Sequence, residues 1–137
     1  MIRGTATQWK CVFKYTKDQI QDVMIMFWQP NNPSESLPII KRKYDCAWND
    51  SATNECYVSL RPSETALFSD KYRAKMQVKV TPNAEFGLPF GSKENLITVY
   101  PMPDNMMPDD PTPEDPEDVP IPPDGEWAYL DGGSIIV

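Results

Sequence analysis

From Pro103 to Val137 the chain carries ten acids, no base and eight prolines. Proline at nearly every second or third position from 101 to 123 denies the backbone both helix and ladder hydrogen bonds and favours extended polyproline II. The acids repel one another and extend the segment further. The foldable domain is therefore expected in about the first 102 residues. That portion holds all thirteen Lys and Arg against ten acids, so the formal net charge of -7 divides into +3 and -10. Two electrically opposite pieces favour a protein that joins to other subunits over one that turns over a substrate.

The foldable portion reads as β structure. Tyr72, Ala74, Met76, Val78 and Val80 share one face and Arg73, Lys75, Gln77 and Lys79 the other, which is a strand with one wet side. Trp9, Cys11, Phe13 and Tyr15 repeat that period, so residues 7–15 are expected to open the sheet. Val23 to Trp28 is apolar on both faces and fits a central or covered strand. Residues 37–44 resume an extended pattern after the Pro30–Ser34 turn cluster, with Pro38 pushing that strand toward a sheet edge. Residues 45–54 read as a loop, 56–61 as a fourth strand, 82–94 as a second loop and 96–100 as the last strand. Between strands, Ser63 to Phe68 can make one helical turn capped by Ser63. Six strands with turn signals and no long helix favour an all-β, antiparallel β-sandwich occupying 1–102. The connection through 62–71 resembles the E–F corner of immunoglobulin-like domains.

The arm, 103–137, does not end in low complexity. Trp127, Tyr129 and Leu130, then Ile135, Ile136 and Val137 beyond the Asp131-Gly132-Gly133 turn, form a hydrophobic terminal anchor. These six are the expected partner-binding residues, adding a strand to an exposed edge or filling a pocket on another subunit. Folding back onto its own body is the alternative.

Chemistry is sparse. With no histidine, the chain lacks the commonest general base and the commonest metal ligand. Cys11, Cys46 and Cys56 have no CxxC spacing and read as small buried hydrophobes, a Cys46–Cys56 bridge being left open. The acids Asp109 to Asp118 fit no EF-hand loop and read as a solvated spacer. Lys41-Arg42-Lys43 suits a guarded edge strand, or a neighbour's acidic tail, better than nucleic acid. Asp18 and Asp22 form a remote candidate carboxylate pair, and Trp9, Trp28 and Trp48 a candidate sugar platform, with core aromatics the default reading. No catalytic residue, metal site or cofactor is expected. The longest apolar run, Val23 to Trp28, is far short of a membrane span, and Met1 to Thr5 leads into no secretory h-region. Synthesis in a cytoplasm, with retention there or release by lysis, is expected.

The opening Met1-Ile2-Arg3-Gly4-Thr5, the strand Trp9 to Tyr15 and the stretch Val58-Ser59-Leu60-Arg61-Pro62-Ser63-Glu64-Thr65-Ala66-Leu67-Phe68 resemble a group of small proteins encoded by tailed phages and prophages of Gram-positive, especially gut, bacteria. More distantly they resemble the immunoglobulin-like N-terminal domain of phage baseplate upper proteins. The resemblance covers residues 1 to about 102. It implies an immunoglobulin-like sandwich, a non-enzymatic structural or accessory role, localisation in the virion, and partners that are other virion proteins or copies of itself in a homo-oligomer or ordered array. A baseplate upper protein continues into helical and receptor-facing regions, whereas this chain has only the acidic arm. Such an arm suits a neck, connector, capsid-decoration or fibre-attachment protein as well. A carbohydrate- or host-surface-binding module tethered by the arm is the competing expectation.

Overall fold

Two nine-residue strands, Ile20–Trp28 and Ala74–Pro82, organise one half of the molecule because their apolar residues recur at the same period and face one another in register. Val23 opposes Val80, Ile25 opposes Val78 and Phe27 opposes Met76, and all six are fully buried. Each such side chain removed from water stabilises the fold by about 1.5–3 kcal/mol. The register slips between Ile20 and Asp22, opposite the end of the partner strand at Pro82, where proline has no N–H to contribute.

The structure is a computed structural model that describes residues 1–107 and 132–137, the side chain of Asp104 excepted. In chain order the strands are β1 (Thr7–Val12), β2 (Ile20–Trp28), β3 (Ile39–Arg42), β4 (Ala47–Trp48), β5 (Glu55–Leu60), β6 (Ala74–Pro82), β7 (Phe90–Gly91), β8 (Asn95–Ile97) and β9 (Ser134–Ile136). They form a four-stranded sheet, β4-β5-β1-β9, and a five-stranded sheet, β3-β2-β6-β7, with β8 also paired to β6. Every strand pair is antiparallel except β1 with β9. The sheets face each other across one core, in which Trp9 of β1 meets Phe27 of β2 with ring centroids 5.0 Å apart. The protein is thus an all-β sandwich. As Pro38 implies, β3 is an edge strand.

The chain passes from one sheet to the other through α1 (Pro62–Thr65), which joins β5 to β6. This turn starts two residues earlier than a Ser63 cap implies, with Arg61 as the cap. Pro62 takes the first helical position, where its missing N–H costs nothing, and Ser63 is buried inside the turn. The Arg61 backbone N–H donates instead to Glu64 Oε1 (3.0 Å), and that carboxylate also accepts from Lys41 Nζ of β3 (2.8 and 3.0 Å). The N-terminal segment is pinned to the same crossover: Thr65 Oγ1 donates to Thr5 O (2.8 Å) and Arg3 Nη2 to Ala66 O (3.0 Å).

Two short strands fall in stretches the sequence gives to loops. In β4, Trp48 opposes Cys56 and stacks on Phe13, centroids 5.6 Å apart, so the aromatic draws a polar segment onto the sheet. In β7, Phe90 opposes Val80. A further difference lies at β6, which begins at Ala74 and leaves Tyr72 half exposed.

Candidate functional site: the edge of β1

Along β1, Trp9 and Cys11, with Phe13 just beyond its end, point into the core while their neighbours present backbone groups to one side. Gln8 O accepts from Gly132 N (3.0 Å), Lys10 N donates to Gly133 O (3.0 Å), and Val12 O accepts from Val137 N (2.9 Å). This alternation is that of a parallel ladder, and it sets the register Lys10 with Ser134, Cys11 with Ile135 and Val12 with Ile136. The C-terminal strand thereby fills the edge of the four-stranded sheet.

Side chains fix which segment fits. Ile135 is buried in the core beside Trp9 and Cys11, Val137 packs against the same core, and Ile136 on the opposite face is 83% exposed. Gly132 lies against the Trp9 indole so closely that a Cβ built there would fall among the ring atoms. Gly133 has φ +87°, a left-handed conformation that L side chains rarely adopt. Around this strand the seam between the two sheets opens into a cleft of about 320 Å³, bounded by Met1, Trp9, Ile97, Tyr100, Gly132 and Ile135. The site is a row of backbone donors and acceptors with one aliphatic socket. It is suited to an extended peptide strand.

Of the six expected anchor residues, Ile135, Ile136 and Val137 come together here, against the chain's own β1. Trp127, Tyr129 and Leu130 lie outside the described residues, as does the acidic run Asp109 to Asp118. Residues the sequence did not single out are Trp9 as the wall against Gly132 and the backbone of Gln8, Lys10 and Val12. The Gly-Gly pair was the available signal, since two adjacent glycines before a β-branched run mark a close approach as readily as a turn.

The other candidates dissolve into structure. Lys41 pairs with Glu64 (2.8 Å), Arg42 with Asp22 (3.0 Å), and Lys43 Nζ donates to Ile20 O (2.5 Å), so the basic triplet is spent on intramolecular contacts. Asp18, whose backbone O accepts from Asn83 Nδ2, is not drawn into a carboxylate pair with Asp22 by any described contact. Trp9 is core, and Trp48 stacks on Phe13 while its Nε1–H donates to Lys43 O (3.0 Å). Trp28 ends β2 in the other sheet, so the three tryptophans do not form one exposed platform.

Cys11 and Cys56 are buried register partners across β1 and β5, Cys46 is half-buried, and all three are free thiols. Hydrogen bonding with the Cys11 thiol, then with the Cys46 thiol, and then burial push the Cys56 thiol well above its ordinary value of 9.0. That keeps it neutral and unreactive. Among the described residues no group of three or more His, Cys, Asp or Glu is arranged to hold a metal ion, and no helix is long and apolar enough to cross a membrane.

On the outer face of the five-stranded sheet a groove of about 430 Å³ runs between Met24, Met26, Gln77, Lys79, Pro89 and Phe90. Lys14 Nζ sits 4.7 Å above the Phe90 ring at its margin. Comparison with known proteins adds no relative: no protein-family model matches the chain, and no curated protein matches it.

Proposed function

We propose that this chain is a non-enzymatic virion structural or accessory protein of a tailed phage or prophage, an immunoglobulin-like sandwich that assembles with itself or with other virion proteins. The observation that carries this reading is the seating of β9 on β1. A strand remote in sequence adds to a sheet edge through main-chain hydrogen bonds and one buried aliphatic side chain, which is the physics by which proteins recruit extended partners. The crossover through α1 between the two sheets supports the immunoglobulin-like assignment, since that is where such domains carry a short helical turn. The +3 body and the -10 segment from 103 onward supply complementary surfaces between copies. Acid–base catalysis would have to proceed without any histidine.

The competing glycan-binding reading requires coplanar exposed aromatics, and Trp9 and Trp48 are instead engaged in the core and on Phe13. Mass spectrometry of gradient-purified particles tests the proposal. The chain is expected in fixed stoichiometry to the structural proteins, and its confinement to the soluble lysate would overturn the virion reading.

A further inference from the structure

Nothing in the β1–β9 contact depends on the two strands belonging to one molecule. The ladder bonds are backbone to backbone, and Ile135 reaches its socket from β9 alone. Covalently, β9 is tied to the rest of the sandwich only through residues 108–131. A stretch of that length can span at most roughly 80 Å, against a radius of gyration of about 13 Å for a domain of this size. The tether permits the strand to reach the edge of an adjacent copy as readily as its own.

The seat is also selective. It demands glycine where a Cβ would enter the Trp9 indole, a residue tolerant of φ +87° next, and an aliphatic side chain two positions on, with no charge through the register. Gly-Gly occurs once in this chain, at 132–133, directly before Ser134-Ile135-Ile136-Val137.

We infer that the β1 edge is an acceptor for the C-terminal strand of a second copy, and that neighbouring subunits are clasped by exchange of residues 132–137. The inference rests on the assembly reading above and names the partner at that site. Exchange keeps every contact of the closed form, so the balance turns on concentration. Covalent connection presents each strand to its own body at an effective concentration on the order of millimolar. In dilute solution each strand serves its own body. When subunits are packed at comparable density, or exchange reciprocally around a two-fold, the clasp forms between molecules.

Lys10 and Ser134 are register partners whose Cα separation in a parallel ladder lies within disulfide range. The test uses two full-length chains, both carrying Cys46→Ser to remove the half-buried thiol, one with Lys10→Cys and the other with Ser134→Cys. They are mixed near millimolar concentration, equilibrated, and oxidised with oxidised glutathione. A disulfide-linked pair containing one chain of each kind is expected, its yield rising with concentration and falling at least several-fold when Gly132→Val is added to the Ser134→Cys chain. If only a chain carrying both cysteines cross-links, and always within itself, exchange is overturned. Dimers seen by light scattering without the mixed disulfide would also overturn it while leaving assembly through another surface intact. Absence of the chain from particles is the separate failure of the assembly reading.

Discussion

The pair β2–β6 and the pair β1–β9 solve the same problem with different means. Between β2 and β6, long strands bring buried side chains from both partners, and a one-residue slip would turn Val23, Ile25 and Phe27 to the wrong face. Between β1 and β9 the register spans three residues, and β9 buries one side chain between its termini, Ile135. There the alignment is fixed by a steric fit of Gly132 to the Trp9 ring. Register set by many apolar pairs belongs to the global fold. Register set by one close approach belongs to an element that can leave while the rest stands.

Cutting the first kind of contact should have the largest effect. Phe27→Ala is expected to cost about 3–5 kcal/mol, read as a shift in the urea midpoint of the whole domain. Gly132→Val should unseat β9 and cost about 1–3 kcal/mol, the scale of the Ile135 burial it forfeits. In amide hydrogen exchange Lys10 should then lose protection while Val23 and Val78 keep theirs. Equal loss across both sheets would erase the distinction between the two pairs.

The Cys56 thiol sharpens the comparison from within the four-stranded sheet. Its folded value is raised, so its contribution to stability is complete below the ordinary thiol value of 9.0 and is lost as pH climbs through and beyond it. Thermal unfolding followed from pH 8 to 10.5 should fall with a slope of at most about 1.4 kcal/mol per pH unit from this group, and Cys56→Ala should flatten it. The smallest effect is expected at the crossover. Glu64→Gln keeps an acceptor for the Arg61 N–H and removes the charge facing Lys41, for a loss under about 1 kcal/mol that shrinks in high salt. A loss of several kcal/mol would make this ion pair a structural anchor between β3 and the crossover.

The β class, and the placement of β1, β2, β3, β5 and β6, were legible because alternation and proline act locally. Ala74, Met76, Val78 and Val80 are on the buried face that their spacing indicates. β4 and β7 were not legible, since two-residue strands carry no period and exist only because Cys56 and Val80 lie opposite. The helical turn starts at Pro62 and not after a Ser63 cap, because proline is preorganised for the first helical position and Glu64 reaches back to accept from the Arg61 N–H. At the site, Ile135 stood out in the sequence only as part of a terminal apolar cluster. Its partner did not, because parallel pairing of the first strand with the last leaves no trace in local pattern. The contact of Cys11 with Cys56 was hidden for the same reason, since it follows from the β1–β5 register alone.

Because β1 precedes and β9 follows every other strand among the described residues, the ribosome delivers the acceptor long before the donor. At about 5–20 residues per second, the stretch from Met107 to Gly132 takes on the order of one to five seconds to synthesise. During that interval β5 can already have paired with one side of β1 while the other side stays unpaired. Translation thus leaves one side of β1 open for a moment, before the strand that fills it has been made.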